Sequence, residues 1–232
     1  MLTSGNSKMG KIHTWSIPAI KACPGRSEYC EKLCYAARGF FKMRSTKDAH
    51  HRNWELSKQK GWTDKMREEI DKKKVKTLRI HVAGDFYSKA YINNWHRVVK
   101  SRPEVTFYAY TRSWNTEELL PNLVKLSGCS NMYLWWSDDH AIPEPPRADG
   151  VRIAYLSKGE DDYPEYPVNL VFREIQNKEK PVLKSLGPYG AVVCPPEQGI
   201  EQTKDITCQK CQLCYTERGN RVFRRARSFA PR

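Results

Sequence analysis

The sequence predicts an α/β fold, an incomplete or irregular βα barrel with parallel strands, and three observations predict it. Runs of apolar, β-branched and aromatic residues begin at Leu78, Val105 and Met132, each 27 residues after the one before, an interval that fits one strand plus one helix. Amphipathic stretches opening on the capping residues Ser88 and Asn115 fill the gaps between them. The 232 residues suffice for one sizeable core and are too few for two full domains.

Taken in order, HTWSIPAI from His13 reads as a first strand, followed by a cysteine-rich loop, CPGRSEYCEKLCYA, and by helices over 45–60 and 63–74. The strands LRIHVAG, VTFYAYT and MYLWWSD then alternate with the helices SKAYINNWHRVVKS and NTEELLPNLVKLS, with Pro103 and Gly128 punctuating the returns. Short strands are expected at VRIAYLS, NLVFREI and GAVVCP, joined by links too short for full helices. The expected organisation is a barrel-like unit over 1–194 that includes the N-terminal cysteine loop. A cluster-binding, arginine-rich segment over 195–232 packs on the same core.

Lys and Arg outnumber Asp and Glu by 40 to 26. Part of the excess is the tail RGNRVFRRARSFAPR, where Arg218, Arg221, Arg224, Arg225 and Arg227 are interleaved with Phe223 and Phe229 and no acid interrupts. Guanidinium groups pair with phosphates and aromatic rings stack on bases, so a nucleic-acid partner is expected, DNA ahead of RNA. A solvated basic tail is the plainer alternative. No apolar run reaches the roughly 18 residues of a membrane span, and the N-terminus lacks a signal segment, so a soluble cytoplasmic protein without a membrane partner is expected.

Eight cysteines in such a chain point to metal rather than disulfides. Cys208, Cys211 and Cys214 form C-x2-C-x2-C, and Cys194, followed by Pro195, offers a remote fourth ligand, as in ferredoxin-type 4Fe–4S sites. Four thiolates satisfy zinc equally by count, but zinc usually takes two separated C-x2-C knuckles. Cys23, Cys30 and Cys34 form C-x6-C-x3-C with no fourth cysteine nearby, which would leave one iron of a second cluster open. Cys129 falls before a strand, at the pole opposite the strand exits, and is expected to be structural.

Active residues in such a sheet gather where strands end. Those exits hold Gly84, Asp85, Arg112, Ser137, Asp138, Asp139 and His140. Asp85, Asp138, Asp139 and His140 could bind Mg²⁺ or Mn²⁺ for hydrolysis, with Arg112 stabilising charge on phosphate. Helix capping is the plain alternative for each aspartate. Gly84 and Ser137 are the candidate cofactor-binding positions, and Trp114, beside Arg112, is placed at a nucleic-acid surface. His81 is expected to be a hydrogen-bonded core histidine.

Three cysteines after an early strand and then a partial barrel resemble radical S-adenosylmethionine enzymes, although the usual spacing there is C-x3-C-x2-C. That resemblance implies S-adenosylmethionine on the open iron, near Ala83-Gly84-Asp85. A closer resemblance covers most of the chain. The blocks GNSKMGKIHTWSIPAIKACPG, CYAARG, RIHVAGDFYS, YTRSW and CQKCQLC resemble the phage gene product 88 family, which implies a phage or mobile-element origin and no defined activity. Three functions follow as expectations. An iron–sulfur enzyme acting on nucleic acid comes first. The alternatives are a divalent-metal nuclease with structural clusters and a redox-sensing DNA-binding protein without turnover.

Overall fold

A computed structural model describes residues 1–159, 161–173, 185–198, 200–203, 205–217 and 219. Its strands are β1 (Thr3–Ser4), β2 (His13–Trp15), β3 (Thr77–Ile80), β4 (Thr106–Thr111), β5 (Met132–Asp138), β6 (Arg152–Ser157), β7 (Leu170–Arg173), β8 (Ser185–Leu186) and β9 (Ala191–Val193). Among the described residues these nine form one sheet in the order β1-β2-β3-β4-β5-β6-β7-β9-β8. From β2 to β9 the pairings are parallel, and only the edge strands β1 and β8 run antiparallel. The result is an α/β fold around a mostly parallel sheet that does not close on itself.

Six helices accompany the sheet among the described residues: α1 (Glu28–Leu33), α2 (Arg44–Ser57), α3 (Trp62–Lys72), α4 (Lys89–Lys100), α5 (Leu120–Ser127) and the short α6 (Cys208–Cys211). Ser88 caps α4 by accepting from the Tyr91 N–H at 3.3 Å, as its position before an amphipathic run predicts. Asn115 does not cap α5. It ends a 3-10 turn over Ser113–Asn115, and α5 starts only at Leu120, with Pro121 in its first turn, where a proline's fixed φ suits a helix and its missing N–H costs nothing. None of the described helices is long and apolar enough to cross a membrane.

Strand alternation divides the sheet into two unlike faces. Leu78, Ile80, Phe107, Ala109, Leu134 and Trp136 face the main core with α3, α4 and α5. There α4 presents Tyr91, Ile92, Trp95, Val98 and Val99, an i, i+1, i+4, i+7, i+8 stripe. Trp15, Trp62 and Trp95 meet edge to face at 5.0–6.1 Å, and the Trp15 indole donates to the Tyr91 hydroxyl at 2.8 Å. Each of these large side chains contributes roughly 1.5–3 kcal/mol on burial, which makes this the stabilising half of the molecule.

The opposite face carries Arg79, Tyr108, Tyr110, Tyr133, Trp135 and Arg152, and it is covered by the turn before β2 and by the segment that includes the one-turn α6 rather than by long helices. Met9, Ile12 and Tyr215 pack on Tyr108, while Cys194 and Leu213 pack on Trp135. Both faces of the parallel strands are therefore buried, as their continuous apolar character predicts, but the second cover is the cysteine-bearing segment itself.

Candidate functional site

Two groups of cysteines flank this sheet. The N-terminal group grows out of the loop after β2. Ser27 caps α1 by accepting from the Cys30 N–H at 2.9 Å, and its own hydroxyl donates to Asp139 at 2.7 Å. One serine thus ties the turn carrying Cys30 to the exit of β5. Gly25 is required here, because a Cβ at that position would stand 2.0 Å from the Arg112 carbonyl oxygen. Gly84 has φ +82, and a Cβ there would meet the Ile17 carbonyl oxygen at 2.8 Å. Close approach of neighbouring backbone explains both glycines.

The exits of β3, β4 and β5 supply the charged residues beneath the loop. Asp85 is buried and accepts from the Thr111 hydroxyl at 2.6 Å, the Arg112 N–H at 2.8 Å and its neighbour's N–H, Phe86, at 2.7 Å. Arg112 and Asp139 form a buried ion pair at 2.7 Å. Asp139 also accepts from the Ala141 N–H at 2.9 Å. Asp138 accepts from the Tyr166 hydroxyl, and its other oxygen is buried without a hydrogen-bond partner among the described residues. His140 stands outside this set, exposed and edge-on to Tyr29 at 4.4 Å.

Burial pushes Asp85 up to about 6 against the pull of its three donors, and burial likewise holds Asp138 at about 6. Both bind a proton more tightly folded than unfolded. Their contribution to stability is therefore greatest below the ordinary carboxylate range and is lost as pH rises toward about 6. Burial also raises the Cys23 thiol, with the nearby Asp85, Cys30 and Cys34 adding to the effect. Cys30 is raised by burial and opposed by Arg112. Each of the three thiols thus lies within electrostatic reach of another, and Cys30 within reach of Asp85 and Arg112.

Of the aspartates expected to hold a divalent ion, Asp85 and Asp139 are engaged by protein donors, and Asp138 keeps one oxygen without a partner among the described residues. Among the described residues no three His, Cys, Asp or Glu side chains are placed to hold one ion. Trp114 is not at a surface: it is 4% exposed and its indole donates to the Ser137 carbonyl at 2.9 Å, because the 3-10 turn after β4 folds the ring under the end of β5. His81 is the buried, hydrogen-bonded histidine expected from the sequence, 2.9 Å from the Tyr91 hydroxyl and with a pKa lowered to about 3 by burial, although it lies one residue past β3, at φ +63, rather than within the strand.

The C-terminal group lies on the other face of the sheet. Cys194 follows β9 directly, Thr207 caps α6 by accepting from the Lys210 N–H, and Cys208, Cys211 and Cys214 follow in one turn and its continuation. The Cys208 N–H donates to the Lys8 carbonyl at 2.8 Å, joining both ends of the chain at this point. Cys194 is raised far above the ordinary thiol range by burial, and both Cys208 and Cys214 act on it. Cys214 is pushed up to about 12 by burial, with Tyr110 and Arg79 pulling the other way.

Three cations surround these thiols. The Lys8 ammonium is close to Cys194 and Cys208 and pairs with Glu197 at 2.7 Å. Arg79 acts on Cys208 and Cys214, and it lies over the Tyr110 ring at 5.3 Å. Its hydrogen-bond partners among the described residues are neutral: the His81 carbonyl, the Met9 sulfur and the Tyr35 hydroxyl. Arg152 donates to the carbonyls of Leu213 and Cys214 and stacks between Tyr133 and Trp135. Composition alone did not single out any of the three, since they lie 71 and 73 positions apart. The Tyr110 hydroxyl is buried beside the Cys214 thiol, which lies within its hydrogen-bonding reach.

Cys129 sits at the opposite pole, in the turn between α5 and β5, packed against the main core. Arg218, Arg221, Arg224, Arg225 and Arg227 lie outside the described residues.

The model of the gene product 88 family matches residues 1–223. The chain belongs to that family. It is 26% identical over 242 residues to the Gene 88 protein of Mycobacterium phage L5 and 25% identical over 233 residues to that of Mycobacterium phage D29. Both matches cover 94% of this chain and 89% of the phage protein. No solved structure matches. In this gene product 88 protein, the five sequence blocks that carry the family resemblance fold around the two cysteine groups: β2 and the loop after it, the exits of β3 and β4, and α6.

Proposed function

We propose that this gene product 88 protein is an iron–sulfur protein acting on nucleic acid. Cys194, Cys208, Cys211 and Cys214 would hold one 4Fe–4S cluster on the sheet face. Cys23, Cys30 and Cys34 would hold a second at the strand exits. The observation that carries the reading is the packing of four thiols from 194–214 against one sheet face, among Lys8, Arg79 and Arg152 and beside the Tyr110 hydroxyl.

Charge chemistry favours that donor set. A half-buried guanidinium without a carboxylate among its described partners is costly unless negative charge lies nearby. Thiolates around an iron–sulfur core supply it, and hydroxyl and guanidinium donors beside them would help set the potential. A cubane takes one thiolate at each corner, so its thiols need not converge on one point as they must around a single zinc ion. Seven parallel strands in chain order support describing the sheet as an opened βα barrel.

At the N-terminal group, three thiols would leave one iron free for a small ligand, and a bound cluster would supply electrons there. The chain's own groups do the positioning. Ser27 and Asp139 hold α1 over the strand exits, and Arg112 fixes Asp139. S-adenosylmethionine is the proposed ligand and DNA the proposed substrate, acted on in the host cytoplasm.

The test is spectroscopic. Adding S-adenosylmethionine to anaerobic, reduced protein should change the electron paramagnetic resonance signal of wild type, and the change should vanish in Cys30→Ala. An unchanged wild-type signal removes this ligand. Mg²⁺-dependent DNA cutting by aerobically prepared protein would favour the nuclease instead.

A further inference from the structure

Three of the five exposed large apolar side chains among the described residues fall within nine positions: Tyr35 at 46%, Phe40 at 86% and Met43 at 53%. Around them Lys32, Arg38, Lys42, Arg44 and Lys47 are all exposed, and no acidic residue lies between Glu31 and Asp48. An exposed apolar patch inside a field of one sign marks an interaction site rather than ordinary surface.

The segment is built to hold these groups out. Two 3-10 turns, Tyr35–Ala37 and Gly39–Lys42, lead into α2. Phe41 turns inward to Tyr35 at 5.8 Å and toward His50 at 6.1 Å, which leaves its neighbour Phe40 outside. The Arg38 guanidinium donates to the Lys32 carbonyl at 2.9 Å, pinning the turn. The Tyr35 hydroxyl donates to the Val82 carbonyl just beyond β3. The patch therefore starts one residue after Cys34 and borders the N-terminal thiols.

We infer that residues 32–47 form a docking surface for single-stranded nucleic acid, presenting it to the N-terminal cysteine group. The inference rests on the nucleic-acid reading above and names the surface that serves it. Cations spaced among exposed rings match a strand whose phosphates need charge and whose unpaired bases offer faces for stacking. A duplex keeps its bases stacked on one another and could use only the cations. A membrane surface would favour one long amphipathic helix, whereas this segment breaks into two short turns before α2.

The test uses the full-length protein prepared anaerobically, with fluorescence anisotropy of labelled oligothymidine and of a labelled duplex. Phe40→Ala should weaken oligothymidine binding about ten-fold and leave duplex binding and iron content unchanged. The triple variant Arg38→Ala, Lys42→Ala, Arg44→Ala should reduce the slope of log affinity against log salt by about 2, at about 0.7 per phosphate contact on a single strand. Unchanged oligothymidine affinity in both variants overturns the surface while leaving the nucleic-acid reading to other residues. Equal losses on single strand and duplex overturn the stacking role. Wild-type protein that binds anionic vesicles or an acidic peptide through Phe40, and neither oligothymidine nor the duplex, overturns both the surface and the nucleic-acid reading. Iron content, measured on the same samples, judges the cluster reading separately.

Discussion

Arg112→Ala should destabilise the protein by about 3–5 kcal/mol, the usual cost of leaving one partner of a buried ion pair without its counter-charge. Arg112 and the Asp139 side chain are almost inaccessible, and the pair is 2.7 Å apart. Ser27 and the Ala141 N–H would still hold Asp139, but neither carries charge. The double variant Arg112→Ala, Asp139→Asn should recover part of the loss, because it removes the buried charge as well. Urea unfolding of the three proteins measures this. A loss below about 1 kcal/mol in the single variant would mean that Asp139 is solvated or protonated rather than paired.

The second large effect concerns iron. Cys30→Ala should remove about half of the bound iron, since one of the two proposed clusters loses one of only three protein ligands. Cys211→Ala should remove the other half and also lower the melting temperature, because its segment is the cover of a sheet face and metal binding there is coupled to packing. Cys129→Ala should change neither, as that thiol lies at the far pole against the main core. Equal iron in Cys30→Ala and wild type would remove the N-terminal cluster. Iron loss in Cys129→Ala would contradict the position assigned to that residue.

Much of the fold was legible because long periodic runs carry it. The strands at Leu78, Val105 and Met132 and the Ser88 cap follow from alternation and spacing, which local sequence encodes directly. The two-residue edge strands β1 and β8 have no such pattern, being held by pairing with β2 and β9. Helix α1 had a signal, Ser27 followed by Glu28 in the first turn and Lys32 in the last, but its cysteines read as a ligand loop. Asn115 misled because Pro121 places the helix start further on.

The site was legible in its cysteines and strand-exit residues and hidden in its surroundings. Gly84, Asp85, Arg112 and Asp139 do meet at adjacent strand ends, as a parallel sheet requires. Trp114 was misplaced because exposure depends on how the turn after β4 folds, which composition does not state. Arg79 and Arg152 are placed by strand register, for example Arg79 opposite Tyr108, while Lys8, whose carbonyl accepts from the Cys208 N–H, comes in on the turn between β1 and β2. The exposed ring of Phe40 likewise needed the turn geometry that sends Phe41 inward.

The most direct measurement is metal and sulfide content of the full-length protein purified without oxygen. Two 4Fe–4S clusters predict about seven to eight irons per chain, a matching amount of acid-labile sulfide, and broad visible absorption that bleaches on reduction. Stoichiometric zinc with little iron and no sulfide would contradict the account, leaving the thiols of 194–214 as an ordinary zinc site.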